Sequence, residues 1–158
     1  MAKYDDASWH YGGDYPTDLP PENGGIHIGI FLTWCIENNL LSEFQLEESK
    51  EDVNLVLNRK LTGTEFLMRN CDEKFTDEDL NDLGNSIAVD YYEDEGEFSK
   101  KGISYLSDYQ YAVELLHREM GTEMKSFYHV EDSWDFYEGI KIILNQRFEQ
   151  WKSFKGIS

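Results

Sequence analysis

A chain of 158 residues, 40% hydrophobic and 15% aromatic, has enough material for one sizeable core, and its Trp, Tyr and Phe content excludes a disordered tail. Its net charge of -18 excludes a surface built to hold nucleic acid or an anionic membrane and favours cationic partners. The longest apolar run, Ile26 to Ile36, is too short to span a bilayer and contains His27 and Thr33.

The chain opens with "KYDDASWHYGGDYP", residues 3 to 16, which reads as part of an irregular N-terminal block over residues 1 to 21. Lys3 is followed at once by Asp5 and Asp6, which is no secretory signal, so a cytoplasmic location is expected. Two readings of the block compete. In the structural one, Asp5 or Asp6 caps a helical turn, Gly12 and Gly13 end it, and Trp9 inserts against Gly24, Gly25 and Gly29. In the functional one, Asp5, Asp6, His10 and Asp14 converge with His27 in a polar pocket.

Residues 22 to 40 follow as a helix apolar around most of its circumference, with Ile28, Phe31, Leu32, Trp34, Cys35 and Ile36, and it should lie at the centre of the fold. Helix-start signals then recur at Ser42/Gln45, Ser49/Asp52, Thr62/Glu65 and Thr76/Asp79. Apolar residues at helical spacing accompany them: Val53, Val56 and Leu61; Leu80, Leu83, Ile87 and Tyr91; Leu106, Tyr109 and Val113. Residues 102 to 106 and 126 to 130 are the only short strand candidates. Tyr137, Ile140, Leu144, Phe148 and Trp151 form the stripe of a C-terminal helix over about residues 133 to 153. The expected fold is all-α, a single-domain helical bundle over residues 1 to 158 with at most a minor β-hairpin.

Catalytic motifs are missing from the pattern. "DEDLND" from Asp77 has Asp82 where a calcium loop needs glycine and Ala88 where it needs a bidentate Glu. The histidines show no HExxH and no paired Cys spacing, and Cys35 and Cys71 read as small buried hydrophobes in a reducing compartment. Neither catalytic residues nor a metal or other cofactor is expected on these grounds. The charge is unevenly placed, however: residues 37 to 97 carry 18 acids against 5 bases, while residues 98 to 158 are almost balanced at 9 against 8. Asp77, Asp79, Asp82, Glu93, Asp94, Glu95 and Glu97 are therefore the candidates to meet a basic protein.

Taken with "LPPENGG", "HIGIFLTWCIENNLL", "LTGTEFL", "TDEDLNDLGNSIAVDYY" and "SFYHVEDSWDFYEGI", the opening block resembles a group of small acidic bacterial proteins classed as a domain of unknown function. The resemblance spans nearly the whole chain. It implies a bacterial cytoplasmic protein and brings no activity, catalytic residue or cofactor with it. The leading expectation is a small acidic inhibitor, of the immunity-protein kind, that covers a basic toxin or nuclease. The alternatives are an enzyme or small-molecule binder built on the N-terminal Asp/His block, and a nucleic-acid mimic.

Overall fold

The computed structural model describes residues 2–157, the side chain of Lys101 apart, and its fold is mainly α-helical. Strand β1 (Lys3–Asp6) runs into a short helix α1 (Ala7–Tyr11). After a 3-10 turn at Pro21–Gly25 come α2 (Ile26–Glu37), α3 (Glu43–Glu48), α4 (Lys50–Leu57) and α5 (Gly63–Asn70). Strand β2 (Lys74–Thr76), α6 (Asp82–Ile87), a π-helical turn at Ala88–Tyr92, α7 (Tyr105–Met120) and α8 (Trp134–Lys155) complete the order. Among the described residues, no helix is long and apolar enough to cross a membrane.

Helix α2 is the axis of the core because it is apolar on every side: each residue from Ile26 to Ile36 is buried. The aromatic rings of Phe31, Phe75, Tyr92 and Tyr105 pack around it with centroids 5.0 to 5.8 Å apart. Helix α8 closes the other side through Tyr137, Ile140, Leu144 and Trp151, all buried, and the Trp34 indole N–H donates to Asn145 Oδ1 at 2.9 Å.

The glycines of α2 do accept a close neighbour, but that neighbour is not Trp9. A Cβ placed on Gly29 would collide with the Thr64 backbone, and one on Gly63 with the Gly29 carbonyl, so α2 and α5 cross on bare backbone. Gly24 faces the Ala7 carbonyl and His10 Cβ, and Gly25 faces Leu67 and Met68. Trp9 instead lies 57% exposed, with the Lys3 ammonium 5.2 Å from its ring centroid. On the short helix α1 the inward position passes to Ala7, which is fully buried, because only a small side chain fits against Gly24 and Gly25.

The capping signals are satisfied at Ser42, which accepts from the Gln45 N–H, and at Thr62/Glu65, a complete capping box. Thr76/Asp79 is also complete, but it starts a 3-10 turn at Asp77–Asp79 rather than an α-helix. Ser49 stands at the N-cap of α4 without capping it, because its hydroxyl donates to Gln45 Oε1 at 2.6 Å.

The β-structure differs in place from the hairpin expected. β1 pairs antiparallel with β2, Asp5 opposite Phe75, across some 70 residues of chain. Residues 102 to 106 lead into α7 through the Ser104 cap, and 126 to 130 form a turn. Within the N-terminal block, residues 3–11 are a strand and a helix, with Asp6 as the cap between them, accepting from the Ser8 N–H, and residues 12–20 are irregular. Gly29→Ala and Gly63→Ala should each lower stability by about 3 kcal/mol or more in urea unfolding, from overpacking at the crossing. Trp9→Ala should change it by less than about 1 kcal/mol.

Candidate functional site

Three residues of the opening motif's predicted pocket come together, and they are built by three different elements. Asp5 is the third residue of β1, His10 lies on α1 and His27 starts α2. The Asp6 cap turns the chain sharply enough for the α1 imidazole to reach back to the Asp5 carboxylate, with His10 Nε2 2.7 Å from Asp5 Oδ1. His27 Nε2 lies 3.0 Å from Asp5 Oδ2, and the two imidazole rings meet edge to face at 4.4 Å. Asp5 Oδ1 also accepts from the Asp6 N–H at 2.8 Å, and Oδ2 from the Tyr92 hydroxyl at 2.6 Å.

A carboxylate only accepts, so both Nε2 atoms carry the protons in this network. Burial alone would raise the Asp5 carboxyl, but the hydrogen bonds from His10 and His27 outweigh it and hold Asp5 well below the usual carboxylate range. For His27, burial wins over the same hydrogen bond and lowers its basicity, so the imidazole is neutral. Its Nδ1 is buried without a hydrogen-bond partner among the described residues. His10 Nδ1 meets the Tyr128 hydroxyl at 2.7 Å, and the Tyr105 hydroxyl donates to the His27 carbonyl at 2.5 Å.

The other two residues of the predicted pocket stand apart. Asp6 is occupied by Ser8 and by Lys3, 3.0 Å away, and Asp14 is exposed on the turn after α1. Tyr92 and Tyr128 replace them, neither singled out by the sequence. The chemical content of the cluster is one anionic carboxylate and two imidazoles whose donor atoms lie within 4.8 Å of one another, a set that could hold a metal ion. Burial pushes the Cys35 and Cys71 thiols up, so neither is a thiolate at neutral pH.

The acids expected to meet a partner divide as well. Asp82, Asp94, Glu95 and Glu97 are exposed, the last paired with Lys100 at 2.7 Å, and Asp77 and Glu93 are half-buried. Asp79 is a correction: it is buried, accepting from Gln45 Nε2 and the Thr76 N–H, and it faces no partner. Its acidity serves the capping box, whose second member must be a hydrogen-bond acceptor.

A different surface has the shape of a binding site. Between α7, α8 and the segment 129–133 lies a groove of 640 Å³ that continues along the helix pair into a second hollow of 240 Å³. Leu116, Met120, Val130 and Phe136 make its floor, with Ile143 farther along, and Glu119, Glu131 and Asp135 stand among the lining residues. None of these three carboxylates has a cationic partner among the described residues. Gly139 keeps the second hollow open, since a Cβ there would meet no atom within 4 Å.

The groove wall is held firmly. Asn23 Nδ2 donates to the Tyr128 and Val130 carbonyls at 3.0 and 3.3 Å, and His117 Nε2 donates to the His129 carbonyl at 2.5 Å. His129 Nε2 donates to Asp18 at 3.0 Å, while Tyr128 reaches inward to His10. The buried cluster and the groove are therefore two sides of one turn.

Residues 3–130 match the domain of unknown function DUF7832. The chain belongs to this family. The matched region takes in the whole Asp5 cluster and ends where the groove wall begins, with α8 beyond it. No curated protein and no solved structure matches the chain.

Replacing the carboxylate strands buried donors, so Asp5→Ala should cost about 3 to 5 kcal/mol in chemical denaturation. Asp6→Ala, which removes a cap, should cost about 1 kcal/mol, and Asp14→Ala less than about 0.5 kcal/mol.

Proposed function

We propose that this DUF7832 protein is a binding protein for a basic protein partner, and that it takes a cationic amphipathic helix of that partner into the α7/α8 groove. One observation carries the reading: an apolar groove, walled by a pinned turn, is lined by three carboxylates that have no cationic partner among the described residues. Apolar residues of an entering helix would fill the floor at i, i+3, i+4 and i+7 spacing, and its Lys or Arg residues would meet Glu119, Glu131 and Asp135. The net charge of -18 supports fast, salt-sensitive encounter. The exposed acids Asp82, Asp94 and Glu95 contribute to that field without being anchors.

An inhibitor of the immunity-protein kind, covering a basic toxin or nuclease in a bacterial cytoplasm, is the specific case of this reading. Its support is the same charge and groove, together with buried thiols that offer no nucleophile.

A labelled amphipathic helix with alternating Leu and Lys faces is the direct probe. Fluorescence polarisation should show saturable binding that weakens with salt. Gly139→Phe fills the hollow and should weaken it about tenfold or more. Gly139→Ala should bind nearly as well as wild type and be up to about 1 kcal/mol more stable. A peptide that binds the Gly139→Phe protein as tightly as wild type would show that charge alone draws it, and the groove reading would fall.

A further inference from the structure

The Asp5 cluster does more than fasten the N-terminus. We propose that Asp5, His10 and His27 form a site for one divalent transition-metal ion of the zinc class. Two imidazoles and one carboxylate are a donor set that suits zinc and its first-row neighbours and disfavours magnesium and calcium, which prefer oxygen throughout.

The spacing fits. An ion about 2.0 to 2.2 Å from each donor in tetrahedral geometry needs donors roughly 3.3 Å apart. Asp5 Oδ1 stands 2.7 Å from His10 Nε2 and Oδ2 3.0 Å from His27 Nε2, and one donor atom from each of the three residues lies within 4.8 Å of the others, so the side chains need only adjust around a common centre to admit the ion. The protons balance without any leaving the protein. Each neutral imidazole moves its proton from Nε2 to Nδ1 and gives its Nε2 lone pair to the ion. His10 Nδ1–H then donates to the Tyr128 oxygen, reversing the direction of the 2.7 Å bond already there. A ligating histidine fixed through its other nitrogen is the usual outer arrangement of such sites. The Asp6 N–H and the Tyr92 hydroxyl hold the carboxylate in place from outside.

His27 is the more deeply placed of the two imidazoles. Its side chain is fully buried, yet Nδ1 has no partner, so the one polar task of this imidazole lies at Nε2. Once Nε2 ligates the ion, the N–H left on Nδ1 is buried without an acceptor among the described residues, a cost the ion–nitrogen bond must offset, so the outer hydrogen bond of the site is made by His10 alone. The His10 side chain is 19% exposed, so the cluster is approached from solvent on that side.

The test uses the intact chain stripped of metal by a chelator, then titrated with Zn²⁺ by calorimetry and with Co²⁺ by visible absorption. One ion per chain should bind, with tetrahedral-type Co²⁺ bands, and Zn²⁺ should raise the melting temperature. His10→Ala removes the less buried of the two imidazole ligands and should keep the fold while weakening binding by about 100-fold or more. Tyr128→Phe, which removes the outer hydrogen bond only, should weaken it by about 10-fold. The many surface carboxylates make a control necessary, and His117→Ala should bind as wild type does. No saturation at one equivalent, equal binding by the His10→Ala protein, or equal affinity for Mg²⁺ would each overturn the site.

Discussion

One buried carboxylate organises this molecule. Asp5 accepts hydrogen bonds from its own strand, from α1, from α2 and from the π-helical turn, four donors on two oxygens. A bare carboxylate in that position would be prohibitively costly, so the elements around it are not free to shift independently. The strand register, the tight entry into α1 and the placement of Tyr92 are all conditions for keeping that charge satisfied. Through His10 the constraint extends to Tyr128, and through Tyr128 to the turn that walls the groove.

This arrangement separates two requirements that compete in a binding protein. The buried charge of Asp5 is met by matched donors on both oxygens, as burial demands. The groove does the opposite and leaves carboxylates unpaired beside apolar side chains. Unpaired acids at the rim cost little while water covers them and become useful when a cation arrives. Because the wall is already fixed by four hydrogen-bonded anchors, little ordering entropy is lost when something docks against it.

Much of the helical architecture is legible in the residues. The all-round apolarity of Ile26 to Ile36 marks the axis, and the stripe from Tyr137 to Trp151 marks α8. What local pattern hides is anything made by distant partners. "KYDD" has no strand signature, and it is a strand because "KFT" lies beside it. The glycines of α2 announce a close contact but do not name the other party, and Gly63 on α5 proves a better fit than a tryptophan. Asp5, His10 and His27 stand out as chemically unusual residues, whereas Tyr92 and Tyr128 look like ordinary core aromatics until the carboxylate and imidazole they touch are known. The groove has one visible trace in the sequence, the glycine at 139 inside an otherwise regular helical stripe. Acid counts along the chain pointed to residues 77 to 97 because counting does not distinguish a capping acid such as Asp79 from a free one.

The antiparallel ribbon also sets an order of events. Residues 3 to 10 are held by β2 at residues 74–76, by Tyr92 and by Tyr128, so their contacts close loops of up to 118 residues. During synthesis residues 3 to 10 lack these partners until most of the chain has followed. Helices α3 to α5 can form from local contacts in the meantime, and long-range pairing comes at greater entropic cost and more slowly. Residues 3 to 10 are therefore made before the partners that hold them and are among the last to find their place.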